Sequence, residues 1–212
     1  MKYSVKCSGV ENGSNGVIGM ASIVIEDKFA INSIRLVQRD DAYAVHYPSR
    51  KSAKSESGYQ TIAFPADKAL AASIREAIIV SYNAGGDPVE INSLAKFNLE
   101  AYVTPYEKEN LKGIANVKFS DNNEFKVNDI VIRDGRNGLY VDMPSYKKKD
   151  ETYASVMNPV TKEFYEEFTT KLLDAYEKKI SGQKKTCQGE DIGNNDAPVS
   201  GSFRHKPKSN IR

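Results

Sequence analysis

At 212 residues, with a formal net charge of +2, 40% hydrophobic and 27% charged residues, the chain has the composition of a soluble globular protein of one or two domains. No apolar run reaches membrane-spanning length, and Met1–Cys7 lacks the apolar core of a signal peptide. Cys7 and Cys187 lie at opposite ends and form neither a disulfide framework nor a metal knuckle, which points to a reducing cytoplasm, no metal and no other cofactor.

The first elements in chain order are strands. Tyr3–Gly9, Val17–Ile25, Phe29–Val37, Tyr43–Tyr47 and Tyr59–Ala63 are short runs rich in β-branched and aromatic residues, separated by Gly, Asn, Asp and Ser turns. After Pro65 the period changes. Leu70, Ile74, Ala77, Ile78 and Tyr82 recur at steps of three and four, one face of a helix, with Asp67 placed to cap its free N–H groups. Gly85-Gly86-Asp87-Pro88 ends it.

The order then repeats. Strands are expected over Phe97–Thr104, Leu111–Phe119, Phe125–Ile132, Leu139–Met143 and Thr152–Met157. A helix follows whose apolar face is Phe164, Phe168, Leu172, Ala175 and Tyr176, with Thr161 as its cap. Within Asn137-Gly138-Leu139-Tyr140-Val141-Asp142-Met143-Pro144-Ser145, Asn137-Gly138 can take the positive φ of a tight turn, and Leu139, Val141 and Met143 share one face of a strand that Pro144 stops. An exposed basic loop follows at Tyr146–Asp150.

The duplication is visible in the numbering. Phe29, Asn32, Ile34, Val45, Pro48 and Ser49 match Phe125, Asn128, Ile130, Val141, Pro144 and Ser145 at an offset of 96, while Tyr59, Pro65 and Tyr82 match Tyr153, Pro159 and Tyr176 at 94. The slips fall in loops, where insertions disturb few buried contacts. The reading is α+β: residues 1–83 as a first repeat, 84–96 as a linker, 97–180 as a second repeat and 181–212 as a disordered polar tail. Each repeat is a twisted antiparallel sheet of four or five strands followed by a C-terminal helix. Most of the chain's net charge comes from that tail, where Lys184, Lys185, Arg204, Lys206, Lys208 and Arg212 outnumber Glu190, Asp191 and Asp196.

Signals for catalysis are weak. His46 sits on a strand with no Ser, Cys or carboxylate constellation, and His205 is in the tail. No phosphate-cradling glycine loop or zinc spacing occurs, so neither an enzyme nor a small-molecule substrate is expected. The basic clusters are better candidates. Arg50, Lys51 and Lys54 follow the first Pro-Ser, and Lys147, Lys148 and Lys149 follow the second. Such loops either contact phosphates or are ordinary solvated charge. Tyr47, Tyr59, Tyr146 and Tyr153 flank them; strand tyrosines more often pack on neighbours than stack on bases.

Gly138, Leu139, Val141, Met143, Pro144 and Ser145, with the lysines after them and Ser155–Pro159, resemble the SpoVG family of bacterial septation and sporulation regulators. The first copy resembles it through Phe29–Val37 and Pro48-Ser49-Arg50-Lys51, although its Gly-Leu pair is replaced by Ala42-Tyr43. The resemblance implies binding of DNA or RNA through Arg50, Lys51, Lys54 and Lys147–Lys149, with Arg133, Arg136 and Arg35 adding to the surface. Family members pair as homodimers, so a tandem chain implies an intrachain pseudo-dimer. The alternative is a non-catalytic module that docks a protein partner through a sheet edge or helix face.

Overall fold

The computed structural model describes residues 1–187 except Asn12, Lys54, Asn123 and Lys149, with side chains described as far as Gly182. The tail beyond Cys187 lies outside the described residues.

Five strands open the first repeat: β1 (Lys2–Gly9), β2 (Val17–Ile25), β3 (Phe29–Arg39), β4 (Ala42–His46) and β5 (Ser49–Lys51). Two short ones follow, β6 (Tyr59–Thr61) and β7 (Ala63–Pro65), and then helix α1 (Lys68–Asn83). After β8 (Val89–Asn92) the second repeat runs through β9 (Leu99–Lys108), β10 (Leu111–Phe119), β11 (Phe125–Gly135), β12 (Gly138–Asp142), β13 (Ser145–Lys147), β14 (Tyr153–Ser155), β15 (Met157–Pro159) and α2 (Lys162–Cys187). Among the described residues no helix is long and apolar enough to cross a membrane.

The helix starts follow the capping chemistry of the sequence. Asp67 Oδ1 accepts from the Leu70 amide at 2.8 Å, and Thr161 Oγ1 accepts from the Phe164 amide at 3.1 Å. Helix α1 packs on β1, and α2 on β9. Under each helix a middle-strand glycine makes room for a tyrosine. A Cβ on Gly19 would lie 3.2 Å from the Tyr82 ring and 2.9 Å from Cys7 Sγ, and one on Gly113 would lie 3.2 Å from the Tyr176 ring.

The sheets differ from simple repeat-by-repeat meanders. One has the order β15-β3-β2-β1-β8 with β4 also on β3; the other has β12-β11-β10-β9 with β7 also on β11. The expected strand Tyr59–Ala63 therefore splits. Its first part, β6, pairs with β5 in a two-stranded ribbon, while β7 crosses to the other repeat and pairs Ala63–Pro65 with Phe125–Val127. Reciprocally, β13 and β14 form a ribbon and β15 pairs Met157–Pro159 with Phe29–Ile31. The backbone bonds around the exchange come in matched pairs. The Asn32 amide donates to the Val156 carbonyl and the Asn128 amide to the Ile62 carbonyl, both at 2.7 Å. The repeats thus form a strand-exchanged pseudo-dimer within one chain.

Three local expectations are corrected. The segment 84–96 is not all connector, since β8 pairs antiparallel with β1; its alternation Val89-Glu90-Ile91-Asn92 spans only four residues, too few to stand out in the sequence. Helix α2 runs past residue 180 with Gly182 inside it, a residue that costs a helix about 1 kcal/mol relative to Ala without ending it. In the β11–β12 turn, Gly138 takes the positive φ (101°) and Asn137 does not.

One hydrophobic core spans both repeats. Phe29 of the first packs at a tilt against Phe119 and stacks on Phe168 of the second, with ring centroids 4.9 and 5.2 Å apart. All three rings are fully buried. Truncating such a ring removes its transfer free energy and leaves a cavity, about 3–5 kcal/mol for Phe→Ala. We expect Phe29→Ala to destabilise the whole chain by about that amount, and calorimetry to show one unfolding transition shared by the two repeats. Two separated transitions would mean that the core is divided.

Candidate nucleic-acid interface

The exchange leaves a groove on the pseudo-two-fold axis, with a volume of about 660 Å³. Equivalent residues of the two repeats line it: Ser33 and Asp129, Pro48 and Pro144, Ser49 and Ser145, Arg50 and Tyr146, Ile62 and Val156. Both Pro-Ser segments are thereby brought to one place.

Backbone irregularity aims residues at this groove. Ser33 and Asp129 both have φ of 62°, a left-handed conformation uncommon for non-glycine residues. Each sits where the ladder slips, between Ala21/Ile23 and Ala115/Val117 on the neighbouring strand. A bulge bends the strand and re-aims the extra side chain. At Asp129 the local amide is satisfied by Asn116 Oδ1 at 3.2 Å.

The segments after Pro-Ser are the ribbons β5–β6 and β13–β14 rather than loops. Each ribbon is anchored at its base: the Pro48 carbonyl accepts from the Ile62 amide and the Pro144 carbonyl from the Val156 amide, both at 2.9 Å. Cross-strand register sets Lys51 opposite Tyr59 in one ribbon and Lys147 opposite Tyr153 in the other. The second ribbon's turn is held by Asp150, which accepts from the Thr152 hydroxyl at 2.6 Å and the Thr152 amide at 3.1 Å. These bonds favour the ionised form and hold the Asp150 carboxyl below its usual range.

The candidate cations separate into groups. Arg50 is committed to Asp129 of the other repeat: Nε donates to Oδ2 at 2.5 Å and an Nη to Oδ1 at 2.8 Å. Hydrogen bonding to this carboxylate pushes the Arg50 guanidinium further up. Arg35 lines the groove, and Arg35, Lys51 and Lys148 are exposed with no ion pair among the described residues. Lys147 Nζ is 3.2 Å from Glu151, an exposed pair of little strength. Lys54 and Lys149 lie outside the described residues.

Arg133 and Arg136 do not join this group. At about 3.3 Å per strand residue they stand roughly 13 and 23 Å along the β11 hairpin from Asp129. Arg133 is bound to Asp142 at 2.9 Å and to Asn110 Oδ1 at 3.1 Å. The register aligns Leu36/Val45 with Ile132/Val141, so Arg35 corresponds to Val131 and not to Arg133.

The tyrosines divide too. Burial pushes the Tyr47 hydroxyl well above its usual range, and this oxygen has no hydrogen-bond partner among the described residues. Tyr59, Tyr146 and Tyr153 are 54%, 44% and 70% exposed. His46 is exposed on β4, opposite Arg35. The contact that sequence reasoning missed is Arg50 with Asp129, because its partners are 79 residues apart and Asp129 reads as an ordinary strand residue.

A double-mutant cycle on Arg50→Ala and Asp129→Ala should give a coupling free energy of about 1 kcal/mol by urea denaturation, the upper end of the range for exposed pairs, because the geometry is bidentate and the Asp129 side chain is only 14% exposed. Arg133→Ala should cost no more than about 1 kcal/mol, because its pair with Asp142 is open to solvent.

Comparison with known proteins agrees with the duplication. The model of the SpoVG family matches residues 1–84 and, separately, 98–178. A protein of Clostridium beijerinckii named "Putative septation protein SpoVG" is 41% identical over 71 residues, which cover 34% of this chain and 76% of that protein. A protein of the same name from Bdellovibrio bacteriovorus is 31% identical over 105 residues, 46% of this chain and 95% of its own length. One from Treponema denticola is 37% identical over 68 residues, 32% of this chain and 71% of the relative. Each relative therefore corresponds to about one repeat.

Proposed function

The chain belongs to the SpoVG family, with two family repeats in tandem, and we propose that it is a non-catalytic regulator that binds DNA or RNA in the bacterial cytoplasm. The observation that carries this reading is the convergence of both Pro-Ser ribbons on one groove. Lys51, Lys147 and Lys148 project from the ribbons, and Arg35 lies at the groove itself, where Arg50 is held by Asp129. Lys54 and Lys149 belong to the same two segments by sequence and extend the set. Arg136, at the exposed hairpin tip, contributes only to a ligand long enough to run along β11 and β12.

The chemistry is phosphate contact. A cation that meets a phosphate releases condensed counterions, so affinity falls with salt in proportion to the number of phosphates met. The folded body is close to neutral overall, so the patch has to be local, and the two ribbons provide one. The names of the relatives connect this family with septation. A role in septation or sporulation is the regulatory setting proposed for this chain.

Fluorescence anisotropy with labelled mixed-sequence DNA and RNA at two salt concentrations tests the proposal. The parent should bind with affinity that falls steeply as salt rises. Lys147→Ala with Lys148→Ala should weaken binding for every sequence and flatten the log–log salt slope by roughly 0.7–0.9 for each phosphate that the variant no longer neutralises. Absence of salt-sensitive binding would transfer the function to docking of a protein partner at a sheet edge or helix face.

A further inference from the structure

Each ribbon brings to the groove a tyrosine that phosphate contact does not use. Cross-strand register sets Tyr59 opposite Lys51 and Tyr146 opposite Ala154, whereas Tyr153, opposite Lys147, is not among the residues that line the groove. A strand tyrosine ordinarily covers a neighbour, yet Tyr59 and Tyr146 line the groove while each remains about half exposed. Aromatic faces beside cations form a stacking platform for unpaired bases with charge for the adjoining backbone.

We infer that the groove between the repeats is a subsite for single-stranded nucleic acid, which takes unpaired bases against Tyr59 and Tyr146 while the backbone runs past Arg35, which lines the groove without an ion pair among the described residues. This deepens the nucleic-acid reading above and rests on it. A duplex offers no base faces to these rings, because its bases are already stacked on one another; a single strand can splay its bases and supply them.

The ion pair in the groove fits the same occupant. Asp129 holds the Arg50 guanidinium by two hydrogen bonds, at 2.5 and 2.8 Å, and so offsets its charge and fixes its plane. A guanidinium committed edge-on to a carboxylate is a poor phosphate clamp, but its flat face remains a stacking surface for a base. Arg50 occupies the position equivalent to Tyr146, so the two repeats present one planar cation and one aromatic ring at matched places.

The test uses the full chain with a labelled mixed-sequence oligonucleotide, as RNA and as DNA, alone and annealed to its complement. The single strand should bind roughly tenfold or more tighter than the duplex, and Tyr59→Leu and Tyr146→Leu should each weaken single-strand binding by about five- to one-hundred-fold with the duplex little affected. Tyr→Phe at either site should retain affinity, because it keeps the ring. Both side chains are exposed, so an unchanged thermal transition will verify folding of the leucine variants. Equal or tighter duplex binding, or leucine variants that bind a single strand like the parent, would overturn the subsite while leaving salt-dependent binding in place. No binding of any probe would overturn the nucleic-acid reading and the subsite together.

Discussion

A change of partner along two long strands organises the molecule. Strand β3 pairs with β4 only from Arg35 to Arg39, and β11 pairs with β12 only from Val131 to Gly135. The other ends, Phe29–Ile31 and Phe125–Val127, lack an outer neighbour in their own repeat. Buried strand N–H and C=O groups left unpaired cost about 1–3 kcal/mol each. The three-residue strands β15 and β7 supply the missing partners from the opposite repeat. Ser33 and Asp129 lie at the hand-over between the two partners, where the ladder is interrupted and the backbone takes positive φ. The bulge, the exchange and the groove are therefore one feature of the backbone.

Fusion into one chain relaxes a constraint that a homodimer must obey. In a two-fold dimer each residue meets its partner's counterpart, so every contact occurs twice. Here equivalent positions have diverged. Lys28 Nζ lies 4.6 Å from the centroid of the Phe97 ring, a cation–π contact across the repeats. Its counterpart Glu124 instead accepts from the Tyr3 hydroxyl at 3.0 Å and from Ser93 Oγ at 2.8 Å. Burial, followed by the nearby Glu124 charge, pushes the Tyr3 hydroxyl well above its usual range. Likewise Arg50 meets Asp129, whereas their counterparts Tyr146 and Ser33 carry no charge. An acid and a base at one duplicated position are compatible only when the two copies have different surroundings.

Much of this architecture was legible in the residues. The helix caps Asp67 and Thr161, the apolar helix faces and the strand alternation express local chemistry that works at short range. Internal duplication was legible because its slips fall in loops. Strand partners were not, since period-two alternation says that a segment is a strand and nothing about which edge it joins. The run from Tyr59 to Ala63 reads as one strand although it divides between a ribbon and the other repeat's sheet. The site was partly legible for the same reason. Pro-Ser followed by cations marked both ribbons, but which cations are already paired depends on contacts between repeats, as Arg50 with Asp129 shows.

Ion pairs within and between the repeats also explain how a nearly neutral body can offer an uneven surface around its groove. Arg50 is offset by Asp129, Arg133 by Asp142, and Lys147 in part by Glu151. Arg35, Lys51 and Lys148 are left without an ion pair among the described residues, and they flank a groove whose apolar residues include Pro48, Ile62 and Val156. Arg35, Arg50 and Asp129 thus share the groove lining with apolar surface. The strand exchange fixes where the two ribbons stand, because each ribbon leads directly into the strand that crosses to the other sheet. Through that covalent continuity, the same residues that join the two repeats in one core also position the ribbons around the groove.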